Sequence, residues 1–229
     1  MKVLVTGGTG LVGSHLCLEL LKRNHEVIVT SRDSKRAAKS LGLPIKIVEW
    51  REPDTSVIPE DAVSGVEAVI HLMGEGIADQ RWTKSVKDRL YRSRVHSGRN
   101  LIKGFKKSDR FPKVFVTSSG VGIYGDRGDE ELLESSNPGK GFLAELCQDW
   151  EGILDQLPST TRQVALRTGV VLAREEGMLG RLKPIVQNNL LGSIGSGKQW
   201  MSWIHLQDLV ELYCQCIEES SYKGIYNAC

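Results

Sequence analysis

The residue pattern richest in chemistry opens the chain, where Val5-Thr6-Gly7-Gly8-Thr9-Gly10-Leu11-Val12-Gly13 sets Gly7, Gly10 and Gly13 at GxxGxxG spacing. Each glycine has its own task. Gly7 permits a tight turn from strand to helix, Gly10 lets a pyrophosphate reach the backbone, and Gly13 lets the helix pack closely on the strand. A helix beginning at Leu11 then turns unpaired amides and its positive dipole end toward the anion. Thr9, Leu11 and Val12 therefore join the three glycines as expected phosphate contacts. A glycine-rich turn can also merely connect two elements, but this one follows a strand and opens a helix, the context a dinucleotide needs. The position that reads the ribose lies at the end of the second strand, in Val29-Thr30-Ser31-Arg32-Asp33. Ser31 and Arg32 offer a hydroxyl and a guanidinium fork to a 2′-phosphate, which favours NADP. Asp33 would take a ribose hydroxyl instead if the strand ended one residue later, and a solvated Arg-Asp turn is the plainest alternative.

These groups need a scaffold, and the rest of the chain describes one. Its 229 residues, 40% hydrophobic and 25% charged with net charge +2, predict a soluble globular protein with a real core and exclude disordered and fibrous classes. Apolar runs at 3–5, 27–29 and 114–116 are strand-sized, far short of the roughly 20 residues of a membrane-spanning helix. Cys17, Cys147, Cys214, Cys216 and Cys229 are odd in number and scattered, so reduced thiols and no metal site are expected. Met1 runs directly into a strand-like segment with no export signal. That places the protein in the cytoplasm, or in an organelle matrix after removal of a targeting segment.

Short β-branched runs alternate with helical-period segments, predicting strands at 2–6, 26–30, 45–49, 67–72, 113–118 and 163–168. Helices are expected at 11–23, 34–41, 83–107 and 141–157. Right-handed crossovers then give an α/β fold built on an open, doubly wound parallel sheet. The basic segment 84–110 reads as an amphipathic crossover helix with a solvated cationic face and no aromatic platform for nucleic acid. From about residue 169 the rhythm breaks, with Gly177, Gly180, Pro184, Gly192, Gly195 and Gly197 punctuating the chain. The division expected is a dinucleotide domain over 1–168 and a partial substrate lobe over 169–229, interleaved with the last elements of the sheet. A helix at 206–218 and a short strand at 225–227 end the chain, which predicts a truncated lobe.

Taken together, these residues resemble the extended or atypical branch of the short-chain dehydrogenase/reductase superfamily, and within it an epimerase-like subgroup of NADP-dependent oxidoreductases. Some members of that subgroup carry the label of cell-division inhibitor. The resemblance spans essentially the whole chain. It rests on TGGTGLVG at 6–13, SR at 31–32, HLMGEGIADQRW at 71–82, SRVHSGRNL at 93–101, TSSGVGIYGD at 117–126, GFLAELCQDWE at 141–151, LRTGVVLA at 166–173 and IGSGKQWMSWIHLQDL at 194–209. It implies a Rossmann domain with NADP(H) bound and a small C-terminal lobe over the nicotinamide. It further implies that His71, Leu72, Met73 and Gly74 form the loop along adenine and ribose, with Glu75 next to them. Arg81 and Trp82 then fall near the phosphates and the substrate mouth, and Thr168 to Val170 near the carboxamide.

The sequence departs from the family where the chemistry is done. Active members use a Ser or Thr with a YxxxK pair, the Lys lowering the Tyr pKa for proton exchange. Aligned on Trp150-Glu151, the Tyr position here is Leu143 and the Lys position Cys147. Four weaker candidates remain: Ser119 at the end of the fifth strand beside Ser118, Tyr124, His205 and Glu75. The first three have a plainer reading. The serines can satisfy a local turn, Tyr124 can be a packing aromatic with a bonded tip, and His205 can join the cap of the helix that follows. Trp200, Met201 and Trp203 either line an apolar substrate pocket or seal the lobe. Cys214, Tyr213 and Cys216 read as a buried helix face.

Two functions from different classes follow. One is an NADP-dependent oxidoreductase or nucleoside-sugar-epimerase-like enzyme of unknown substrate. The other is a non-catalytic NADP-binding redox sensor or regulator. Both imply a small-molecule ligand with neither nucleic acid nor membrane as partner, and helices 83–107 and 141–157 correspond to common dimer faces in relatives.

Overall fold

The structure, a computed structural model, describes residues 1–229 except 79, 175, 189–191 and 193–195. Among the described residues the main sheet holds seven parallel strands in the order β3-β2-β1-β4-β5-β6-β9. These are β1 (Lys2–Thr6), β2 (Glu26–Ser31), β3 (Lys46–Glu49), β4 (Ala68–His71), β5 (Val114–Gly120), β6 (Arg162–Thr168) and β9 (Gly224–Ala228). The helices are α1 (Leu11–Lys22), α2 (Ser34–Leu41), α3 (Glu60–Val63), α4 (Lys84–Tyr91), α5 (Ser97–Ser108), α6 (Phe142–Glu151), α7 (Gly177–Gln187) and α8 (Leu206–Glu218). The chain runs outward from β1 to β3 and then crosses back to lay β4 on the other side of β1. That reversal between β1 and β4 is the switch point at which open α/β sheets bind ligands.

Both faces of the sheet are covered, which is why its strands read as unbroken apolar runs rather than alternating ones. Val3 and Val5 point to one face and pack with Leu16 and Leu20 of α1 and Leu209 and Tyr213 of α8. Leu4 points to the other, with Leu101 and Phe105 of α5 and Trp150 of α6. The period of two along β1 is therefore read out as two separate cores.

The single helix predicted at 83–107 is present as a continuous helical run that changes winding once. Between α4 and α5 the residues Arg92–His96 form one π-helical turn, and the turn carries Arg94 and Val95 into the interior. Likewise 141–157 is α6 followed by a 3-10 turn, Gly152–Gln156. β5 extends to Gly120, so Ser118 and Ser119 lie in the strand rather than in a turn after it. In the irregular region, β7 (Val170–Leu172) and β8 (Trp203–His205) form a small parallel pair flanking α7. α8 and β9 then return to the main body, with Ala228 beside Thr168 at the sheet's carboxyl edge. Among the described residues no helix is long and apolar enough to cross a membrane.

His71, the last residue of β4, is wholly buried. Its Nε2 donates to the Arg94 carbonyl at 3.4 Å, which leaves Nδ1 to accept from Thr6 Oγ1 at 2.7 Å. Burial, reinforced by the nearby Arg94 charge, pulls its pKa down to about 4 against the weaker lift of that carbonyl. An unfolded chain therefore binds a proton that the folded chain refuses between pH 6.5 and 4, and stability falls as pH falls through that window. We expect urea denaturation to show about 2 kcal/mol lost from this residue between pH 7 and pH 5. His71→Gln should flatten that slope; an unaltered slope would show that His71 is not buried neutral.

Candidate functional site

The turn joining β1 to α1 is built by contact. Gly7 has φ of +75°, and a Cβ there would lie 2.9 Å from the Leu72 backbone. A Cβ on Gly13 would lie 2.3 Å from the Gly7 carbonyl oxygen, well inside van der Waals contact. Gly10 is different: a Cβ there meets only Gly7 O, at 3.4 Å, so its outer face is open. Gly10 is also the N-cap of α1 with no side chain capping the helix, and the first turn holds no acidic residue. Ser14 N is the first amide to bond back, to Gly10 O at 2.9 Å. The amides of Leu11, Val12 and Gly13 thus precede the helical ladder, with the exposed Thr9 beside them. This is an anion cradle that a side chain on Gly10 would fill, and it fits a pyrophosphate.

At the end of β2 the alternatives for Asp33 are separated. Asp33 lies beyond the strand, and its Oδ1 accepts from Arg36 N at 2.9 Å as the N-cap of α2. Ser31 Oγ donates to the Asp33 carbonyl at 3.0 Å, bracing the same turn. Arg32 is exposed and, among the described residues, has no carboxylate within ion-pair distance. The turn thus presents the Arg32 guanidinium to solvent beside the capping Asp33.

The loop after β4 completes the edge. Leu72 N bonds to Thr6 O at 3.1 Å, Leu72 and Met73 run alongside Gly7, and Gly74 lies over Arg94. Glu75 carries its carboxylate on the surface, 3.3 Å from Arg89. Arg81 is exposed, and Trp82 stacks edge-on to Phe142 at 5.8 Å. Thr168 ends β6 and Val170 begins β7, both at the carboxyl edge.

The wall expected to hold a proton donor is apolar. A Cβ on Gly120 would sit 3.7 Å from Cys147 Sγ, and one on Gly122 would sit 3.4 Å from Leu143. Leu143 and Cys147 therefore face the end of β5, where the Tyr and Lys of the resemblance belong, and burial pushes the Cys147 thiol up. The neighbouring hydroxyls are committed elsewhere. Ser119 Oγ donates to Glu151 Oε1 at 2.7 Å, and Glu151 forks onto Arg167 with both contacts at 2.9 Å. Arg167 Nη1 donates to Tyr124 OH at 2.8 Å, and Tyr124 OH donates to Asn227 Oδ1 at 2.6 Å. Burial works against the Arg167 charge, but the Glu151 and Tyr124 bonds outweigh it and raise its pKa. This chain of groups ties β5, α6, β6 and β9 together. The sequence reading missed Glu151, Arg167 and Asn227, although a charge directly after the apolar run Val164-Ala165-Leu166 was a usable signal.

His205 is the N-cap of α8, its Nδ1 accepting from Gln207 N at 3.3 Å. That acceptor role puts the proton of the neutral ring on Nε2. His205 lines a cavity of about 640 Å³ with Trp200, Met201, Trp203 and Cys229. A second cavity, about 420 Å³, lies on the far side of His205 between α1 and α8. Neither is lined by the glycine turn, which faces an open groove. Trp200 is 79% exposed and donates to Asp129 at 2.6 Å. Gly195, the first glycine of the turn expected before it, lies outside the described residues.

Residues 3–229 match the NAD dependent epimerase/dehydratase family. The chain belongs to that family. It is 35% identical over 226 residues to epimerase family protein ML0860 of Mycobacterium leprae, covering 98% of this chain and 70% of that protein. Its fold matches the crystal structure of human epimerase family protein SDR39U1 (isoform 2) with NADPH at a TM-score of 0.85 and 32% identity, covering 100% of this chain and 74% of the human one. A nucleoside-diphosphate sugar epimerase from Corynebacterium glutamicum matches at a TM-score of 0.81 and 33% identity, over 99% of this chain and 46% of that one.

The Glu151–Arg167 pair offers a direct test of the network. Removing one charge strands the other in the interior, at a cost of about 3–5 kcal/mol. Glu151→Gln should lower the stability to chemical denaturation by an amount in that range, and Tyr124→Phe by about 1 kcal/mol; equal, small losses for both would show that the pair is solvated.

Proposed function

We propose that this chain binds NADP(H) across the β1–β4 switch point and exchanges hydride with a small-molecule carbonyl or nucleotide-sugar-like substrate. The observation that carries the reading is the cradle at Gly7, Gly10 and Gly13 together with the Ser31-Arg32 turn, where Asp33 caps α2. Leu11, Val12 and Gly13 would hold the pyrophosphate on their amides, with Thr9 beside them. Arg32 and Ser31 would take the 2′-phosphate. Leu72, Met73 and Gly74 would border the adenine and ribose, Glu75 the ribose or nicotinamide side, Thr168 and Val170 the carboxamide, and Arg81 the outer phosphate side. When bound, the cofactor supplies a hydride donor or acceptor at the nicotinamide. The human relative solved with NADPH supports the phosphorylated form.

The proton must come from elsewhere than a tyrosine. Ser119 and Tyr124 are bound into the Glu151–Arg167 network, which leaves His205 Nε2 and the Glu75 carboxylate as groups with an accessible protonatable atom. The substrate side would be the cavity lined by Trp200, Met201 and Trp203, so residues 169–229 act as the substrate lobe, interleaved with the last elements of the sheet, and 1–168 as the dinucleotide domain. A second reading, a non-catalytic NADP-dependent redox sensor working in the cytoplasm or an organelle matrix, draws on the apolar Leu143 and Cys147 wall. Turnover separates the two. His205→Asn preserves a cap and removes the proton; it should keep NADPH affinity while abolishing NADPH oxidation with any carbonyl substrate the parent accepts.

Calorimetric titration tests the cofactor assignment. The parent should bind NADPH at least tenfold more tightly than NADH, and Arg32→Glu should erase that preference with little change for NADH. Gly10→Val should abolish binding of both while leaving the thermal midpoint within a few degrees. Equal affinities for the two cofactors in the parent would contradict the role of Arg32.

A further inference from the structure

Arg94 is the least expected residue of the interior. It is 6% exposed, yet among the described residues it has no carboxylate within ion-pair distance. Its Nη2 donates to the Glu75 carbonyl at 2.7 Å, and its Nη1 donates to the Leu90 carbonyl at 3.2 Å and to Ser93 Oγ at 3.4 Å. Its Nε is buried with no hydrogen-bond partner among the described residues. The guanidinium stacks on Trp150, 5.2 Å from the ring centre, and a Cβ on Gly74 would overlap it at 2.7 Å. It lies, then, directly under the loop after β4, against the Trp150 face of α6.

A buried cation with no counter-charge is expensive, and a fold keeps one where it acts on something. The π-helical turn Arg92–His96 exists at the place where it delivers this side chain inward, and such turns recur at functional sites. The charged and titratable groups facing Arg94 are Cys147 of α6, Glu75 of the loop and His71 of β4. Two of them are uncharged at neutral pH, since burial raises the Cys147 thiol and lowers His71. Glu75 is shared with Arg89 at the surface. The positive field is therefore directed, largely uncancelled, at the β4–β5 half of the carboxyl edge.

We propose that Arg94 is a positioning residue that supplies the fixed positive charge of the site from beneath the 72–75 loop, selecting the reduced, uncharged nicotinamide over its cationic oxidised form. The inference rests on the cofactor reading above. In an open α/β sheet the dinucleotide spans the switch point, and with the 2′-phosphate at Arg32 on the β2 side, the nicotinamide falls on the β4–β5 side. There the charge disfavours a second cation and the Glu75 carbonyl bond fixes the loop against which the ring lies.

The test is the ratio of dissociation constants for NADP⁺ and NADPH, measured by calorimetry on the parent, Arg94→Met and Arg94→Lys. Arg94→Met should lower the ratio about tenfold, the size expected for one unit charge acting across several ångströms of protein. A second site variant, Cys147→Lys in the Arg94→Met background, should restore it. A merely structural role would weaken both ligands in parallel and leave the ratio unmoved. If Arg94→Met does not fold, Arg94→Lys carries the reading: its buried ammonium titrates where a guanidinium does not. Its ratio should equal the parent's near pH 6 and fall by pH 9.5 while the parent's stays flat. A ratio fixed at the parent value in whichever variant folds overturns the role of Arg94. Failure of the parent to bind either nucleotide overturns the cofactor reading itself.

Discussion

The whole carboxyl edge depends on how closely α1 is allowed to approach β1. With the position of a Gly13 Cβ only 2.3 Å from the Gly7 carbonyl, no other residue lets the helix start where it does. That start places three unpaired amides at the end of β1. The same closeness at Gly7 brings the loop after β4 against the turn, so that the phosphate cradle and residues 72–75 form one continuous rim. Below the rim, Thr6, His71 and Arg94 form a buried polar chain that connects β1, β4 and the π-helical turn. Rim and chain are mutually dependent: the hydrogen bonds set the depth of the loop, and the loop shields them from water.

A second consequence concerns the acid-base machinery. The wall between β5 and α6 is formed by Gly120, Gly122, Leu143 and Cys147, which hold no group able to lower a phenol's pKa or donate its proton. The polar residues that the fold does keep here, Ser119, Glu151, Arg167, Tyr124 and Asn227, satisfy one another in the interior. Their effect is mechanical. They clamp β9, the last strand, to the body of the sheet, and hold the edge beside the aromatic lobe in a fixed shape. The buried cation nearest this wall, Arg94, comes from the π-helical turn rather than from α6.

Much of this was legible in the sequence because it follows from local rules. Glycine spacing marked the close approach of α1 to β1, and β-branched runs marked the parallel strands. The capping role of Asp33 was beyond spacing alone, since a strand end cannot be read to one residue. Long-range features were hidden for physical reasons. The π-helical turn inserts one residue without breaking the hydrophobic period around Leu90, Val95 and Leu101, so 83–107 read as one helix. The Glu151–Arg167 pair joins residues from different elements, and no local pattern records such a partnership. The β7–β8 pair and α7 lie in a glycine-punctuated stretch whose order comes from packing on the lobe rather than from periodicity.

The measurement that bears most directly on this account is hydrogen–deuterium exchange of the protein with saturating NADPH and with saturating NADH. The account predicts slowed exchange at residues 9–13 and 72–76 with both nucleotides, and at 31–34 with NADPH alone, because only the 2′-phosphate engages that turn. Protection confined to the lobe around 200–205, with the glycine turn unchanged, would contradict the claim that this rim is where the dinucleotide binds.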